Sequence, residues 1–239
     1  MHRETPSPFQ AQGGTLYVVA TPIGNLSDIS GRALAILSTC DKIACEDTRV
    51  TLKLLNHLNI HKPLVSYRDE NETSQALRLV EDIKAGLSLA LISDAGTPTI
   101  SDPGFRLVRL CRKEGLPVSP IPGPCAFIAA LSASGLPSNA FFFAGFLPPK
   151  SSARARFFEA NRLAEHTLIL YESCHRILSF IEELLASMGN SRVIALGREI
   201  SKKFETFLVG PVGQVFEQLK TKSHKGEFVV IIAPATFQL

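Results

Sequence analysis

The chain has 239 residues, of which 45% are hydrophobic and 20% charged, and its formal net charge is +3. These values predict a folded globular protein, and no apolar run approaches the roughly 20 residues that a membrane span needs. The positive excess lies in residues 121–239, which hold 12 Lys and Arg against 9 Asp and Glu, whereas residues 1–120 hold 13 of each. This imbalance permits a polyanionic partner, but on charge alone an ordinary solvated face is favoured.

The N-terminal segment and the cysteines indicate where the protein works. Residues 1–14 are polar, with two Pro and two Gly, which predicts a disordered leader rather than a secretory signal. The five cysteines form no C-x-x-C pair, and their number is odd. This argues against a disulfide framework or a zinc site and favours the reducing cytoplasm. The histidines are scattered, so no metal site is predicted.

From Thr15 the first half of the chain alternates short apolar runs with helical periodicity. Strands are predicted at Leu16–Ala20, Lys42–Cys45, Leu64–Ser66, Leu87–Ile92 and Val118–Ile121. Helices are predicted at Asp28–Leu37, Arg49–Leu58, Glu72–Ala85 and Phe105–Glu114. Ser27 and Thr48 are the expected caps of the first two helices, and Leu77, Val80 and Ile83 the apolar face of the third. This alternation predicts an open, mostly parallel α/β sheet.

The alternation loosens after residue 122, where we expect a boundary between an N-terminal domain, 15–121, and a C-terminal domain, 122–239. Further helices are predicted at Cys125–Ser134, Ala153–Leu163, His175–Met188 and Val212–Lys220. Further strands are predicted in the stretch 140–147 and at Thr167–Tyr171, Arg192–Leu196, Glu205–Val209 and Phe228–Ile232. More strands per helix indicate a mixed sheet in the second domain. The phenylalanines at 141–143 and 146 are expected to lie mostly in the core.

Three loops at the predicted carboxyl ends of strands have an unusual composition: T-P-I-G-N at 21–25, S-D-A-G-T-P-T-I-S-D-P-G at 93–104 and I-P-G-P-C-A at 121–126. In an open α/β sheet, ligands bind at this edge. Gly allows close approach of the backbone to a ligand, and Pro fixes the loop shape before binding. A ligand pocket is therefore predicted. P-loop, G-x-G-x-x-G, H-E-x-x-H and G-x-S-x-G motifs are all missing, which argues against the common nucleotide, zinc-protease and hydrolase sites.

These loops belong to a series of segments that resembles the small-subunit ribosomal RNA methyltransferase I family, within the tetrapyrrole-methylase-like class. The segments are T-P-I-G-N-L-x-D-I at 21–29, E-D-T-R at 46–49, S-D-A-G-T-P-x-I-S-D-P-G at 93–104, P-G-P-C-A at 122–126, S-x-L-P at 134–137, G-F-L-P-x-K at 145–150, Y-E-S-x-H-R at 171–176, R-E-x-x-K at 198–202 and K-G-E at 225–227. Together they run from Thr15 to about Ala233.

The resemblance implies two α/β domains with S-adenosylmethionine bound in the cleft between them. It places at the cofactor Pro22, Asp94, Ala95, Gly96, Thr97, Ile100, Cys125, Ala126 and Glu172. Thr97 stands where tetrapyrrole methylases have the Asp of G-G-D-P, so this polar contact differs here. Glu172 is expected to contact the cofactor through its backbone. No metal is implied, and class members are commonly homodimers.

The implied reaction is methyl transfer to the ribose 2′-hydroxyl of a cytidine in 16S ribosomal RNA. The hydroxyl needs a base or a nearby cation, for which the candidates are Glu46, Asp47, Arg49, Lys150 and Glu199. E-D-T-R is equally well explained as a helix N-terminus and Lys150 as a solvated strand end. Arg154, Arg156 and Arg162 form a plausible phosphate-contacting face. Asp94 and Asp102 are also typical turn residues.

Two other functions are compatible with the sequence. One is a methyltransferase of the same fold that acts on a small molecule such as a tetrapyrrole. The other is a non-catalytic RNA-binding or cofactor-sensing module that has kept the pocket. E-D-T-R and G-F-L-P-x-K favour the RNA enzyme over the first, and the intact loops favour it over the second.

Overall fold

The computed structural model describes residues 10–239. The chain divides into two compact units that meet in sequence between Cys125 and Ala126, slightly later than the boundary expected at residue 122. Within the described residues, no helix combines the length and apolarity that crossing a membrane requires.

Part of the predicted leader is ordered. Residues 1–9 lie outside the described residues. The Ala11 N–H donates a hydrogen bond to Thr39 Oγ1 at 2.9 Å, and the Gln12 N–H donates to the Tyr17 hydroxyl at 2.8 Å. These residues are therefore attached to the first unit, and the prediction of a disordered leader is wrong for this stretch.

The first unit is a five-stranded, entirely parallel sheet in the order β3-β2-β4-β1-β5. Its strands are β1 Leu16–Val19, β2 Lys42–Cys45, β3 Leu64–Ser66, β4 Leu89–Leu91 and β5 Val118–Ile121. Its helices are α1 Gly31–Thr39, α2 Thr48–His57, α3 Glu72–Lys84 and α4 Phe105–Lys113. Strand β4 is buried on both faces, as its continuous apolar run predicts for a central parallel strand.

The helix starts differ from those predicted. Ser30, not Ser27, caps α1 by accepting a hydrogen bond from the Ala33 N–H, because residues 26–28 form a short 3-10 helix of their own. Asp47, not Thr48, caps α2. A carboxylate accepts from a helix N-terminus as well as a hydroxyl does, so the sequence alone left this choice open.

The buried face of α3 is also displaced from the predicted one. Val80 and Ile83 are buried as predicted, whereas Leu77 is 58% exposed. Ala76 and Leu79 take its place in the core. Neighbouring apolar residues such as Ala76 and Leu77 both fit the helical periodicity of the buried face. Packing against the sheet and α4 decides which of them is buried.

The second unit contains a mixed sheet in the order β6-β7-β10-β8-β9. Its strands are β6 Phe141–Phe146, β7 Thr167–Ser173, β8 Val193–Arg198, β9 Thr206–Pro211 and β10 Glu227–Ile232. Its helices are α5 Ala126–Ala133, α6 Ser151–Ala160, α7 Ile177–Met188 and α8 Val212–Lys220. Strands β6 and β7 are parallel, and the remaining pairs are antiparallel. The two α/β domains agree with the predicted fold class.

Strand β6 lies at the edge of this sheet, and its aromatic residues are not mostly core. Phe141, Phe142 and Phe146 are 42%, 47% and 56% exposed. Phe143 stacks on Phe127 of α5 with ring centroids 4.2 Å apart. An edge strand has a neighbour strand on one side only, so its side chains have fewer packing partners than those of a central strand.

Candidate functional site

Two of the three predicted ligand loops are joined by backbone pairing. The Thr21 N–H donates to Gly96 O at 2.8 Å, and the Gly96 N–H returns a bond to Thr21 O at 3.1 Å. The third loop is attached by a side chain, because Thr97 Oγ1 donates to Pro124 O at 3.0 Å. The loops that follow β1, β4 and β5 therefore form one connected surface at the carboxyl edge of the first sheet.

The long loop after β4 holds an unusual backbone shape. Gly96 and Gly104 have φ of 80° and 132°, and Thr99 and Ser101 also lie in the left-handed region, at 73° and 63°. A Cβ on Gly104 would lie 2.7 Å from Leu91 Cδ2, so only glycine fits there. Left-handed non-glycine residues are costly and persist where their surroundings hold them.

A buried carboxylate outside the loop helps to stabilise this backbone conformation. Glu72, at the start of α3, accepts hydrogen bonds from the Gly104 N–H at 3.2 Å and the Arg106 N–H at 3.3 Å. The same oxygen, Oε1, accepts from the Tyr67 hydroxyl at 3.2 Å, and the other, Oε2, accepts from Arg106 Nε at 2.9 Å. Glu72 thus provides the N-terminal cap that Gly104 cannot give to α4. Sequence reasoning missed it, since its helix position resembles any first-turn acid.

Acidic side chains gather next to these loops. Burial, followed by the charges of Asp94 and Asp102, raises the pKa of Glu46 above its usual value. Burial raises the pKa of Asp102 to about 6. Asp94 is exposed, and its Oδ1 accepts a hydrogen bond from the Asp47 N–H at 3.0 Å. Glu46 is consequently the predicted candidate with the properties of a base that holds its proton more tightly than an ordinary glutamate does.

Asp47 and Arg49 are paired with each other. Arg49 Nη2 lies 2.6 Å from Asp47 Oδ2, and the Arg49 N–H donates to Asp47 Oδ1 at 2.8 Å. Hydrogen bonds from Arg49 hold the pKa of Asp47 well below its usual range, which disfavours Asp47 as a base. The Arg49 side chain is 86% exposed, so its guanidinium remains accessible to an anion. Capping of α2 accounts for the position of Asp47. It does not account for the exposed position of the Arg49 side chain.

The predicted cofactor residues are divided by the structure between the two units. In the first unit, Pro22 and Gly96 are buried, and Ala95 and Ile100 are exposed. Thr97 and Cys125 are partly buried there. Ala126 begins α5, and Glu172 lies in β7, so both belong to the second unit. Their roles toward a ligand stay predictions.

In the second unit, Lys150 is the exposed residue at the N-cap of α6, and its side chain caps nothing. Arg154, which the sequence predicts to contact phosphate, is only 5% exposed. Its guanidinium forms a two-bond pair with Glu183, from Nε at 2.7 Å and from Nη2 at 2.6 Å. The prediction of a phosphate-contacting role is therefore wrong for Arg154, whereas Arg156 and Arg162 are exposed.

Glu172 is fully buried, and its side chain belongs to an ion pair. Arg176 Nε lies 2.8 Å from Glu172 Oε1, which also accepts the Ser173 N–H at 2.7 Å. Within the described residues, Glu172 Oε2 is buried without a hydrogen-bond partner. The backbone of Glu172 lies opposite Phe228 in the β7–β10 ladder. Its backbone contact with a cofactor stays a prediction.

Glu199 has a structural explanation. Its Oε1 accepts from Lys202 Nζ at 2.9 Å and from the Glu227 N–H at 3.0 Å, which joins R-E-x-x-K to K-G-E. A Cβ on Gly226 would lie 2.5 Å from the Glu199 carboxylate, so this packing requires glycine. Burial raises the pKa of Glu199, but Lys202 and the Glu227 N–H outweigh that effect and the pKa lies below its usual value. These contacts disfavour Glu199 as a base.

Comparisons with known proteins agree with the motif pattern. Residues 15–215 match the family described as Tetrapyrrole (Corrin/Porphyrin) Methylases. Ribosomal RNA small subunit methyltransferase I of Escherichia coli O157:H7 is 48% identical over 92% of this chain and 77% of its own length. The protein of the same name from Haemophilus influenzae is 50% identical over 92% of this chain and 78% of its own length. The one from Synechocystis is 44% identical over 93% and 80%, respectively.

Solved structures support the fold alone. Diphthine synthase superposes with a TM-score of 0.72 at 17% identity, covering 94% of this chain and 91% of its own. Uroporphyrin-III-C-methyltransferase from Thermus thermophilus superposes with a TM-score of 0.63 at 21% identity, covering 93% and 95%, respectively.

No cluster of three or more metal-ligating side chains occurs among residues 10–239.

Proposed function

Because the chain belongs to the tetrapyrrole methylase family and, within it, to the family of ribosomal RNA small subunit methyltransferase I, we propose that it transfers a methyl group to the ribose 2′-hydroxyl of a cytidine in 16S ribosomal RNA. The methyl donor is S-adenosylmethionine, whose sulfonium supplies an already activated methyl group. The observation that carries the proposal is the connected three-loop surface, built from the segments that the family pattern contains.

The residues at this surface fit such a cofactor. The exposed positions of the loop after β4 include the small Ala95 beside Asp94, so backbone groups and one carboxylate are accessible. Adenosine and the methionine amino group need donors and acceptors of this kind at close range, and bulky side chains would block them. The left-handed glycines let the loop hold its shape without adding side chains to the surface.

On the acceptor side, we assign different tasks to three residues. Glu46 accepts the proton of the ribose hydroxyl, since its raised pKa gives a stronger base than an ordinary glutamate. Arg49 contacts phosphate, because its guanidinium is exposed and Asp47 binds only its Nε and Nη2 edge. Lys150, exposed at the N-cap of α6, is assigned a cationic role toward the RNA acceptor. We assign structural roles to Asp47, which caps α2, and to Glu199, which binds the Glu227 N–H, because the pKa of each carboxyl is lowered by its hydrogen bonds.

Labelled S-adenosylmethionine tests the proposal against both alternatives. Small ribosomal subunits, free 16S RNA and a tetrapyrrole precursor are incubated separately with the protein and the labelled cofactor. We expect label in the RNA of subunits, at a 2′-O-methylated cytidine identified by mass spectrometry of nucleosides. Label in the tetrapyrrole alone would support the small-molecule enzyme, and cofactor binding without transfer would support the non-catalytic module.

We place the enzyme in the cytoplasm, where ribosomal subunits are assembled, and propose that it forms a homodimer. The exposed phenylalanines of edge strand β6 support a protein interface at this strand. Light scattering after size-exclusion chromatography tests the dimer. A Phe142→Glu variant that stays a dimer would place the interface elsewhere.

A further inference from the structure

Two arginines hold the backbone of the loop that leads to Lys150. Arg154 Nη1 donates to Pro148 O at 3.2 Å and to Pro149 O at 2.5 Å. Arg176 Nη1 donates to Leu147 O at 3.4 Å. Three consecutive carbonyls between β6 and α6 are thus bound by guanidinium groups from two different helix starts.

Each guanidinium has a carboxylate of its own. Arg154 and Glu183 have side chains that are 6% and 18% exposed, and those of Arg176 and Glu172 are 27% and 0% exposed. Hydrogen bonds from Arg154 hold the pKa of Glu183 below its usual value. Each guanidinium is therefore held in direction by its carboxylate, while its Nη1 donates to the loop.

The loop needs such donors because of its sequence. Pro148 and Pro149 have no N–H, so this segment cannot pair with a neighbour as a strand does. Leu147 is buried, so its carbonyl needs a partner within the protein, whereas Pro148 and Pro149 are exposed and their carbonyls are fixed in direction by Arg154. A planar guanidinium with five N–H groups can bind a carboxylate on one edge and carbonyls on another, which an ammonium cannot do in the same geometry.

The arrangement joins two of the motifs. Strands β6 and β7 are parallel, with Phe146 opposite Tyr171, so the segments after them emerge at the same edge of the sheet. The first segment continues G-F-L-P-x-K and the second contains the Arg of Y-E-S-x-H-R. The arginine at the end of the second motif thereby binds the backbone of the first.

We propose that Arg154 and Arg176, with their partners Glu183 and Glu172, are positioning residues that fix Lys150 for its role toward the RNA acceptor. This inference rests on the proposed function. Neither arginine contacts substrate: they act through the three carbonyls, which set where α6 begins and thus where its N-cap residue stands.

Kinetics of conservative variants test the role. Arg154→Lys and Arg176→Lys keep the positive charge but lose the Nη1 groups that donate to the loop carbonyls. We expect each to lower the transfer rate at saturating RNA at least tenfold, with the affinity for S-adenosylmethionine unchanged in Arg154→Lys, because Arg154 pairs with Glu183 and not with the predicted cofactor residue Glu172. Combining Arg154→Lys with Lys150→Ala should give the rate of Lys150→Ala alone, because residues that act through one another are not additive. Independent, additive losses would overturn the proposal, as would a full rate in Arg154→Lys.

Arg192→Lys is the matched control. Arg192 is also buried and binds backbone carbonyls, those of Arg162 and Ala233, but it has no contact with the loop. At equal folded fraction it should keep the wild-type rate. Hydrogen exchange gives a readout that does not need the reaction: the amides of residues 153 and 154, which donate to the Lys150 carbonyl, should exchange faster in Arg154→Lys and Arg176→Lys than in Arg192→Lys. Unchanged exchange would overturn the positioning role of the two arginines, even if the protein methylates RNA. If the wild type is inactive but the two variants exchange faster, only the proposed function is contradicted.

Discussion

The Glu72 carboxylate accepts a hydrogen bond from the Gly104 N–H at 3.2 Å, so a residue of α3 caps the first turn of α4. Gly104 has a φ of 132° and no side chain with which to cap the helix itself. The last residue of the twelve-residue loop is thus fixed by a residue more than 30 positions earlier, and the loop shape depends on packing between two helices.

Glu72→Gln should loosen this attachment. The amide keeps one acceptor but brings an NH₂ group toward the donors on Gly104 and Arg106, so we expect a loss of about 1–3 kcal/mol of unfolding free energy. Cofactor affinity should fall severalfold because the loop must be ordered on binding. Urea titration and calorimetry measure the two effects. Glu81→Gln, at the exposed surface of the same helix, serves as the control and should change neither.

Ala95→Leu should block S-adenosylmethionine without unfolding the protein. Ala95 is exposed and lies outside the left-handed region, so a larger side chain adds bulk and no backbone strain. Gly96 is a poorer test, because its φ of 80° and the nearby Ile23 side chain would strain any replacement. We expect at least a tenfold weaker affinity by calorimetry and an unchanged melting temperature. Equal affinity for wild type and variant would exclude this loop as the cofactor surface, and Ala160→Leu provides the exposed control.

The rate of methyl transfer should depend on the protonation of Glu46. A base works only when deprotonated, and the raised pKa of Glu46 moves the acid limb of the kcat profile above that of an ordinary glutamate. Asp94→Asn removes a negative charge that contributes to this shift, so the limb should move to lower pH. Glu46→Gln should lower kcat about 100-fold and abolish the limb. The exposed Glu70→Gln should leave the profile unchanged, and an intact limb in Glu46→Gln would assign the base to another residue.

Asp102→Asn should stabilise the protein at neutral pH. Because burial raises the pKa of Asp102 from 3.8 to about 6, the folded state binds more protons than the unfolded state between these values. Asp102 therefore costs stability as pH rises from about 4 to 6, and the full cost is present above that window. Allowing for partial solvent screening, we expect the variant to gain about 1 kcal/mol at pH 7 relative to pH 4. A difference between variant and wild type that does not change with pH would contradict the shifted titration.

Arg49→Ala should weaken RNA binding and leave the affinity for S-adenosylmethionine intact. If the guanidinium contacts one phosphate, the slope of log affinity against log salt should fall in magnitude by about 1. The defect in transfer should disappear at saturating RNA, because only binding is lost. Arg112→Ala is the matched control, since Arg112 lies in the last turn of α4 and binds the carbonyl of Val118, at the opposite edge of the same sheet. An unchanged salt slope in Arg49→Ala would show that Arg49 does not contact phosphate and only pairs with Asp47.

The sequence by itself determined the strand and helix order, the parallel sheet of the first unit and the loops that follow its strands. Strands such as Lys42–Cys45 and Val118–Ile121 begin and end where the pattern predicts. Apolar periodicity, Gly and Pro act over a few residues, so their effect can be read locally. Family motifs supplied the chemistry, and the three-loop surface follows from the rule that parallel strands place their carboxyl ends together.

Only the tertiary structure decided which charged residues are bound to partners. Arg154 and Arg156 look alike in the sequence, yet the first is buried against Glu183 and the second is exposed. Glu72 and Glu199 likewise owe their environments to residues more than 25 positions away, Gly104 and Glu227. The direction of a side chain and the pKa of its charged group depend on burial and on neighbours from other elements, which local pattern does not contain.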